Sequence, residues 1–189
     1  MTMYEEIRKD KIDSQALNIL IVSATEVETR ALHSVMSSEI SKVIKGNHTY
    51  YIGQLGQYLI CNVQCLNMGS LSPGGSNQTI ADSLNEWQNI KAVIMMGICF
   101  GIDDTHQNIG DVIVSKDIKN YETRRIGENQ EIPRGDIYRS DLCLYNAFNN
   151  LKLTWEYIGI DDKKKKLTLG TYISGELLVD NKHTRDTLL

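Results

Sequence analysis

The chain has 189 residues, 41% hydrophobic and 23% charged, enough to bury one sizeable core and ordinary for a single globular domain. Its formal net charge of −4 provides no global positive field to gather nucleic acid or anionic lipid, so a small molecule is the expected partner, with no nucleic acid and no membrane. The four cysteines, Cys61, Cys65, Cys99 and Cys143, have no Cys-x-x-Cys spacing and lie in or beside apolar, strand-like runs, which suits reduced core thiols in the cytoplasm better than a zinc site or a disulfide framework.

Residues 1–16 are polar and mixed in charge, with early acids and no apolar leader, and are expected to form an extension outside the core with a turn or two of helix; residues 17–189 make the domain. No stretch approaches the length of a membrane span. From Leu17 the run Leu-Asn-Ile-Leu-Ile-Val-Ser is apolar and β-branched, then changes at Ala24 to helical spacing through Val27, Ala31, Leu32, Val35 and Met36, which predicts a buried strand feeding a helix. Tyr50–Leu55 and Tyr58–Val63, separated by Gly56, predict a hairpin. The Gly- and Ser-rich segment 68–76 precedes a helix whose apolar face includes Ile80, Leu84 and Trp87. Lys91–Met96 is a continuous apolar run ending in Gly97, the pattern of a fully buried strand. Gly110-Asp111 signals a turn before a strand from Val112, and residues 120–139, polar and irregular, form a candidate binding loop. A helix is expected over 141–151, a solvated turn at the charged run 161–166, a strand over 167–174 and a helix start over 181–189. Strands alternating with helices predict a sheet covered on both faces.

Several segments carry chemistry. In Ile21-Val22-Ser23-Ala24-Thr25-Glu26-Val27-Glu28, carboxylates sit where a strand becomes a helix, the edge at which α/β sheets bind ligands. Gly97 and Gly101, flanking Cys99 and Phe100, let the backbone approach a ligand closely, and Asn108-Ile109-Gly110-Asp111-Val112 follows. Ile173-Ser174-Gly175-Glu176-Leu177-Leu178-Val179 closes the set. The 68–76 loop has the glycine content of a phosphate cradle but neither a P-loop ending nor dinucleotide-site spacing, so a plain connection is the better reading. The four histidines show no metal-ligand spacing.

Together, in this order, these segments resemble the purine nucleosidase and nucleoside phosphorylase superfamily, and in particular the methylthioadenosine/S-adenosylhomocysteine nucleosidases. The resemblance implies an α/β fold, a three-layer αβα arrangement with a central mixed sheet, nucleoside phosphorylase-like and C-terminally incomplete. It implies hydrolysis of the N-glycosidic bond of a purine nucleoside or nucleotide, with no metal and no cofactor, by a homo-oligomer. Glu28 is then the general base that orients water as oxocarbenium character develops, and Glu26 is the second choice; complementing the helix dipole is the competing role for Glu28. Gly69, Ser70, Cys99, Phe100, Gly101, Tyr121, Arg124, Leu178 and Val179 would border the substrate, with Arg125 beside Arg124 as a second phosphate receiver. Phe100 stands where the family usually has a small residue, Glu176 where it has Asp, and Leu178 where it has an aromatic. The family's ribose-clamping Met-Glu pair and the acid that protonates the purine follow the Ser-Gly-Asp segment, and no counterpart precedes Leu189. Phosphorylases of the superfamily carry arginines at the first turn and before the middle glycine, where this chain has Ser23-Ala24-Thr25 and Met95-Met96, so water is the expected nucleophile. Phosphorolysis and non-catalytic nucleotide sensing are the alternatives. The Gly-Ile-Cys-x-Gly variant also resembles effector domains of bacterial signalling and antiphage proteins.

Overall fold

The computed structural model describes residues 2–101, 105–122, 124–126, 131–133 and 135–175. The chain divides into two compact units, residues 1–99 and 100–189. The first unit is built on a six-stranded sheet. Its strands are β1 (Met3–Glu6), β2 (Ile19–Ser23), β3 (Glu39–Lys45), β4 (His48–Leu55), β5 (Tyr58–Gln64) and β6 (Ala92–Met96), in the spatial order β1-β3-β4-β5-β2-β6. β2 runs parallel to both β5 and β6, β3-β4-β5 form an antiparallel meander, and β1 lies parallel to β3, so the sheet is mixed. The β4–β5 hairpin turns through two residues, and Gly56 at φ +60° supplies the left-handed conformation that a side chain would strain.

Alternation along β2 sorts the core into two layers. Leu20 and Val22 pack with Tyr50, Cys61, Val63 and Trp87 at the end of helix α2 (Ser76–Glu86), whereas Ile21 packs with Ile40, Ile60 and the α1 (Glu26–Val35) residue Leu32 together with Met36. The two helices therefore cover opposite faces, and this unit has the expected αβα layering with a central mixed sheet. Each of these apolar side chains contributes on the order of 1.5–3 kcal/mol on burial.

The structure departs from the sequence pattern in five places within this unit. Residues 3–6 form an edge strand rather than helix, followed by a 3-10 turn at Lys9–Lys11 whose Lys9 ammonium donates to the Glu86 carbonyl at 2.7 Å and lies 5.0 Å over the Trp87 ring. Strand β3 was not signalled, because only Ile40 and Val43 of it are buried and a three-residue interval is not a strand period. On α1 the inward residues are Glu28, Thr29, Leu32 and His33, while Val27 and Val35 face solvent. β6 ends the order of its sheet and is only half-buried, so it is not the fully covered strand its apolar run predicts. Cys61 and Cys65 are buried thiols as expected, but Cys99 is exposed.

The second unit centres on β7 (Val112–Asn120), flanked by antiparallel β10 (Ile137–Arg139) and parallel β13 (Leu167–Ser174). The Asp111 carboxylate accepts from Asn108 N–H and Lys166 N–H, each at 2.9 Å, and so ties the starts of β7 and β13 together. Within 120–139, β8 (Arg124–Ile126) and β9 (Glu131–Pro133) pair as a hairpin, giving the expected irregular loop a ladder of its own. Helix α3 (Leu142–Leu151) forms where predicted, capped by Asp141, and carries Cys143 on an exposed position rather than in a core. The charged run 161–166 is more than a solvated turn. β11 (Tyr157–Ile158) and β12 (Lys164–Lys165) pair there, and Lys165 is buried with its ammonium 2.7 Å from Asp161 Oδ2. The helix start expected over 181–189 lies outside the described residues. No helix among the described residues is long and apolar enough to cross a membrane.

Candidate active site

The parallel register of β2 with β5 and β6 aligns Ser23 with Gln64 on one side and with Met96 on the other. The segments that leave these three strands, 24–25, 65–75 and 97–99, therefore emerge at one edge of the sheet, the edge at which open α/β folds hold ligands. Of the residues singled out in the sequence, Glu28, Gly69, Ser70 and Cys99 belong to these segments or to the helix turn beside them.

Glu28 is the best-defined group there. It occupies the third position of α1, and Thr25 caps the helix by accepting from Glu28 N–H at 3.4 Å. Its carboxylate is buried, with only 7% of the residue exposed, and is held from both sides. The N–H groups of Ala24 and Thr25 each donate to Oε2 at 2.9 Å, and Ile98 N–H donates to Oε1 at 2.8 Å. Burial alone would push this carboxyl up, but the N–H donors from Ile98, Thr25 and Ala24, with the Thr25 side chain, outweigh it and hold the group below the usual carboxylate range. Glu28 is thus an ionised acceptor that completes a capping box and at the same time binds the end of β6 to the β2–α1 turn. A carboxylate offers about four lone-pair directions, and backbone N–H groups take three of them.

Gly97 makes this approach possible. A Cβ at position 97 would lie 2.8 Å from Glu28 Oε1, inside any normal carbon–oxygen contact. Sequence reasoning marked this glycine for close approach to a ligand; the atom it admits is an oxygen of Glu28. Glu26, the second candidate, is exposed and pairs with Arg30 four residues on, the Arg30 Nε–H donating at 3.0 Å. Arg30 is thereby held on the exposed face of α1.

The loop between β5 and α2 folds on itself. Leu66 N–H donates to Gly74 O at 3.0 Å, Gly75 N–H to Ser72 O at 2.8 Å, and Ser76 N–H to Gly69 O at 3.0 Å. Gly74 N–H donates to the Gln78 side chain at 2.8 Å. The N–H groups of Leu66, Gly74, Gly75 and Ser76 are thus spent on acceptors of the loop and of α2, in keeping with a plain strand-to-helix connection. Gly69 and Ser70 are half-buried, and Cys99 is exposed.

In the second unit Phe100 is 82% exposed. Gly101 lies against Gln107, whose Oε1 would be 2.6 Å from an added Cβ. Tyr121 is half-buried, its N–H donating to Ser174 O at 3.2 Å, and its ring covers Gly175. Arg124 and Arg125 fall in β8, and Leu178 and Val179 lie outside the described residues. No group of three His, Cys, Asp or Glu among the described residues is arranged to hold a metal ion.

The structure also brings together polar residues that the sequence reading passed over. Ser23, Asn62, Thr29 and His33 are all buried on the α1 face of the sheet. Thr29 Oγ1 lies 2.7 Å from Ser23 Oγ, 2.9 Å from Thr25 O and 3.0 Å from Gln64 Oε1. The Asn62 amide donates to Ile21 O at 2.9 Å and to Ser23 Oγ at 3.4 Å, and its carbonyl is 3.0 Å from His33 Nε2. His33 Nδ1 is 3.0 Å from the Tyr4 hydroxyl. Burial lowers the His33 pKa against the opposing pull of its Asn62 bond, which keeps the imidazole neutral, protonated on Nε2 and accepting from Tyr4. The available signal was the presence of Ser and Asn within apolar strand runs.

No protein-family profile matches the chain. A curated relative from Amphimedon queenslandica, named a death domain-containing ATP nucleosidase, is 24% identical over an alignment covering 93% of this chain and 37% of its own length. The chain thus spans little over a third of that relative. Two solved structures superpose over 90% of the chain and 70% of their own. One is a 5′-methylthioadenosine/S-adenosylhomocysteine nucleosidase from Neisseria meningitidis in complex with methylthio-immucillin-A, with a TM-score of 0.68 and 18% identity. The other is the D198N mutant of the Helicobacter pylori enzyme with 5′-methylthioadenosine in its active site, with a TM-score of 0.71 and 14% identity.

Proposed function

The chain has the fold of the 5′-methylthioadenosine/S-adenosylhomocysteine nucleosidases within the nucleoside phosphorylase superfamily, and on that premise we propose that it hydrolyses the N-glycosidic bond of a purine nucleoside or nucleotide, with Glu28 acting on the attacking water. The observation that carries this reading is the ionised Glu28 carboxylate at the carboxyl edge of the sheet, with three N–H donors fixing its orientation. A carboxylate there accepts from a water and places negative charge where the departing base leaves an oxocarbenium-like sugar. Its depressed pKa makes it a weak proton acceptor but keeps it charged throughout the neutral range, so orientation and charge stabilisation dominate its contribution over early proton abstraction. Water is favoured over phosphate because the 23–25 turn has no cation and Arg30 is paired with Glu26 on the exposed face of α1. The purine class is supported by the methylthioadenosine bound to the Helicobacter pylori protein and by the name of the Amphimedon queenslandica relative. The death domain in that name, and the fraction of its length this chain spans, support a role as the nucleotide-degrading module of a larger signalling or defence protein.

The test is chromatographic: adenosine, methylthioadenosine, AMP and ATP are incubated with the protein, with and without inorganic phosphate. Free base is expected from at least one of them at the same rate in both conditions. Release that requires phosphate would make the protein a phosphorylase, and binding without release would make it a sensor.

A second copy of the chain is the proposed partner. Leu66, Met68 and Leu71 of the β5–α2 loop stand 60%, 70% and 76% exposed at the site's edge of the sheet, a concentration of apolar surface that self-association would cover. Light scattering at micromolar concentration is expected to give at least a dimer mass, and a monomer mass would remove this partner.

A further inference from the structure

We infer that Thr29 is a positioning residue for Glu28, acting through its hydroxyl as the joint that fixes the β2–α1 turn; the inference rests on the catalytic reading of Glu28 given above. Thr29 does not reach the carboxylate. It follows Glu28 in α1, and its Oγ1 meets three different parts of the fold: the last residue of β2 through Ser23 Oγ, the last residue of β5 through Gln64 Oε1, and the helix cap through Thr25 O. The cap residue bonded in this way is the one whose N–H donates to Glu28 Oε2. A shift of Thr25 therefore moves a donor of the carboxylate directly.

The hydrogens have a consistent direction. Asn62, whose carbonyl faces His33 Nε2, gives an amide hydrogen to Ser23 Oγ. Ser23 then gives its own hydrogen to Thr29 Oγ1, and the single Thr29 hydrogen is shared between Thr25 O and Gln64 Oε1. Ser23, Asn62 and Thr29 are 0%, 0% and 5% exposed, so the Asn62–Ser23 and Ser23–Thr29 bonds are shielded from bulk water. Buried hydroxyls of this kind add little net stability compared with apolar residues of the same shape, but they define a single geometry. A helix that needed only to cover its sheet would present apolar side chains here, as α1 does at Leu32.

Thr29→Val keeps the shape and deletes the joint, leaving the Ser23 hydroxyl without its acceptor; Thr29→Ser keeps the hydroxyl. The deciding measurement is the titration of the Glu28 side-chain carboxyl, followed by carbon NMR in each full-length chain. The carboxyl of Thr29→Val is expected to titrate at higher pH than in the wild type, because its N–H donors are less well held, and Thr29→Ser is expected to restore the wild-type curve. If Thr29→Val does not fold, Ser23→Ala removes the donating half of the same bond and is expected to give the same upward shift. Turnover supplies the second readout: kcat should fall about 10-fold or more in Thr29→Val with KM little changed, and recover in Thr29→Ser. A wild-type Glu28 titration in Thr29→Val, or in Ser23→Ala if that variant has to stand in, overturns the inference whatever the turnover. A rise in KM with kcat intact overturns it as well. Absence of base release by the wild-type chain would refute the proposed function instead, and the titration alone would then decide the positioning role.

Discussion

Replacing Glu28 with Gln is expected to reduce base release by ~10²-fold or more while leaving ligand binding nearly intact, because the amide keeps the reach of the side chain and loses the negative charge. If the residue only caps the helix, the same change costs about 0.3–1 kcal/mol of stability and leaves turnover near the wild-type value. Turnover and melting temperature measured on both forms separate the two outcomes. The pH dependence gives a further check with a definite sign. The folded-state carboxyl titrates below its ordinary value of 4.5, so its contribution to stability is complete above that pH and is lost as pH falls through the lower folded value. The stability advantage of the wild type over Glu28→Gln is thus expected to hold steady above pH 4.5 and to shrink below it. A gap that closes at neutral pH would show that the carboxylate is not held by the three N–H groups.

Gly97→Ala is expected to be the most damaging small substitution at this edge of the sheet. The added methyl falls 2.8 Å from Glu28 Oε1. The end of a long side chain ordinarily gives way cheaply. Here the carboxylate is fastened by Ala24, Thr25 and Ile98, and moving it away from position 97 breaks at least the Ile98 bond. Overpacking of this kind costs typically 1–3 kcal/mol. Base release should fall towards that of Glu28→Gln, and combining the two substitutions should cost clearly less turnover than the sum of the separate losses, since both act on one carboxylate. Full additivity in the double-mutant cycle would mean that Gly97 serves another purpose.

The strand–helix alternation was legible because β2, the β4–β5 hairpin, α2 and β13 are each announced by local pattern and bounded by glycine or by a change of period. The inward face of α1 was not. Apolar spacing turns Val27 and Val35 inward, whereas the structure buries Glu28 and Thr29. Some of the partners that make this burial favourable are neighbours, Ser23, Ala24 and Thr25, but Ile98 and Gln64 lie 70 and 35 residues from the groups they meet, and no local window contains those two. Lys165 is the same lesson in the second unit. A lysine in a run of four reads as solvated, yet this one is buried, with its ammonium 2.7 Å from the carboxylate of the more exposed Asp161. What the sequence did indicate about the site was its edge: Ser23-Ala24-Thr25 and Gly97 fall at the ends of adjacent parallel strands, as their patterns required.

The parallel pairing of β1 with β3 has a consequence for the order in which this unit forms and opens. β1 precedes the other strands, but its ladder partner among the described residues is a strand separated from it by β2 and α1, and all four of its residues are exposed. Its ladder therefore requires β3 to be in place, and it adds little apolar burial when it pairs. An edge element of this kind opens first under native conditions, well before the sheet it borders. Its opening withdraws the Tyr4 hydroxyl from His33 and lets water reach Nδ1 of a ring whose other nitrogen is bonded to Asn62. A fluctuation at the start of the chain is thereby felt by a side chain in the interior of the sheet without any change in the strands between them.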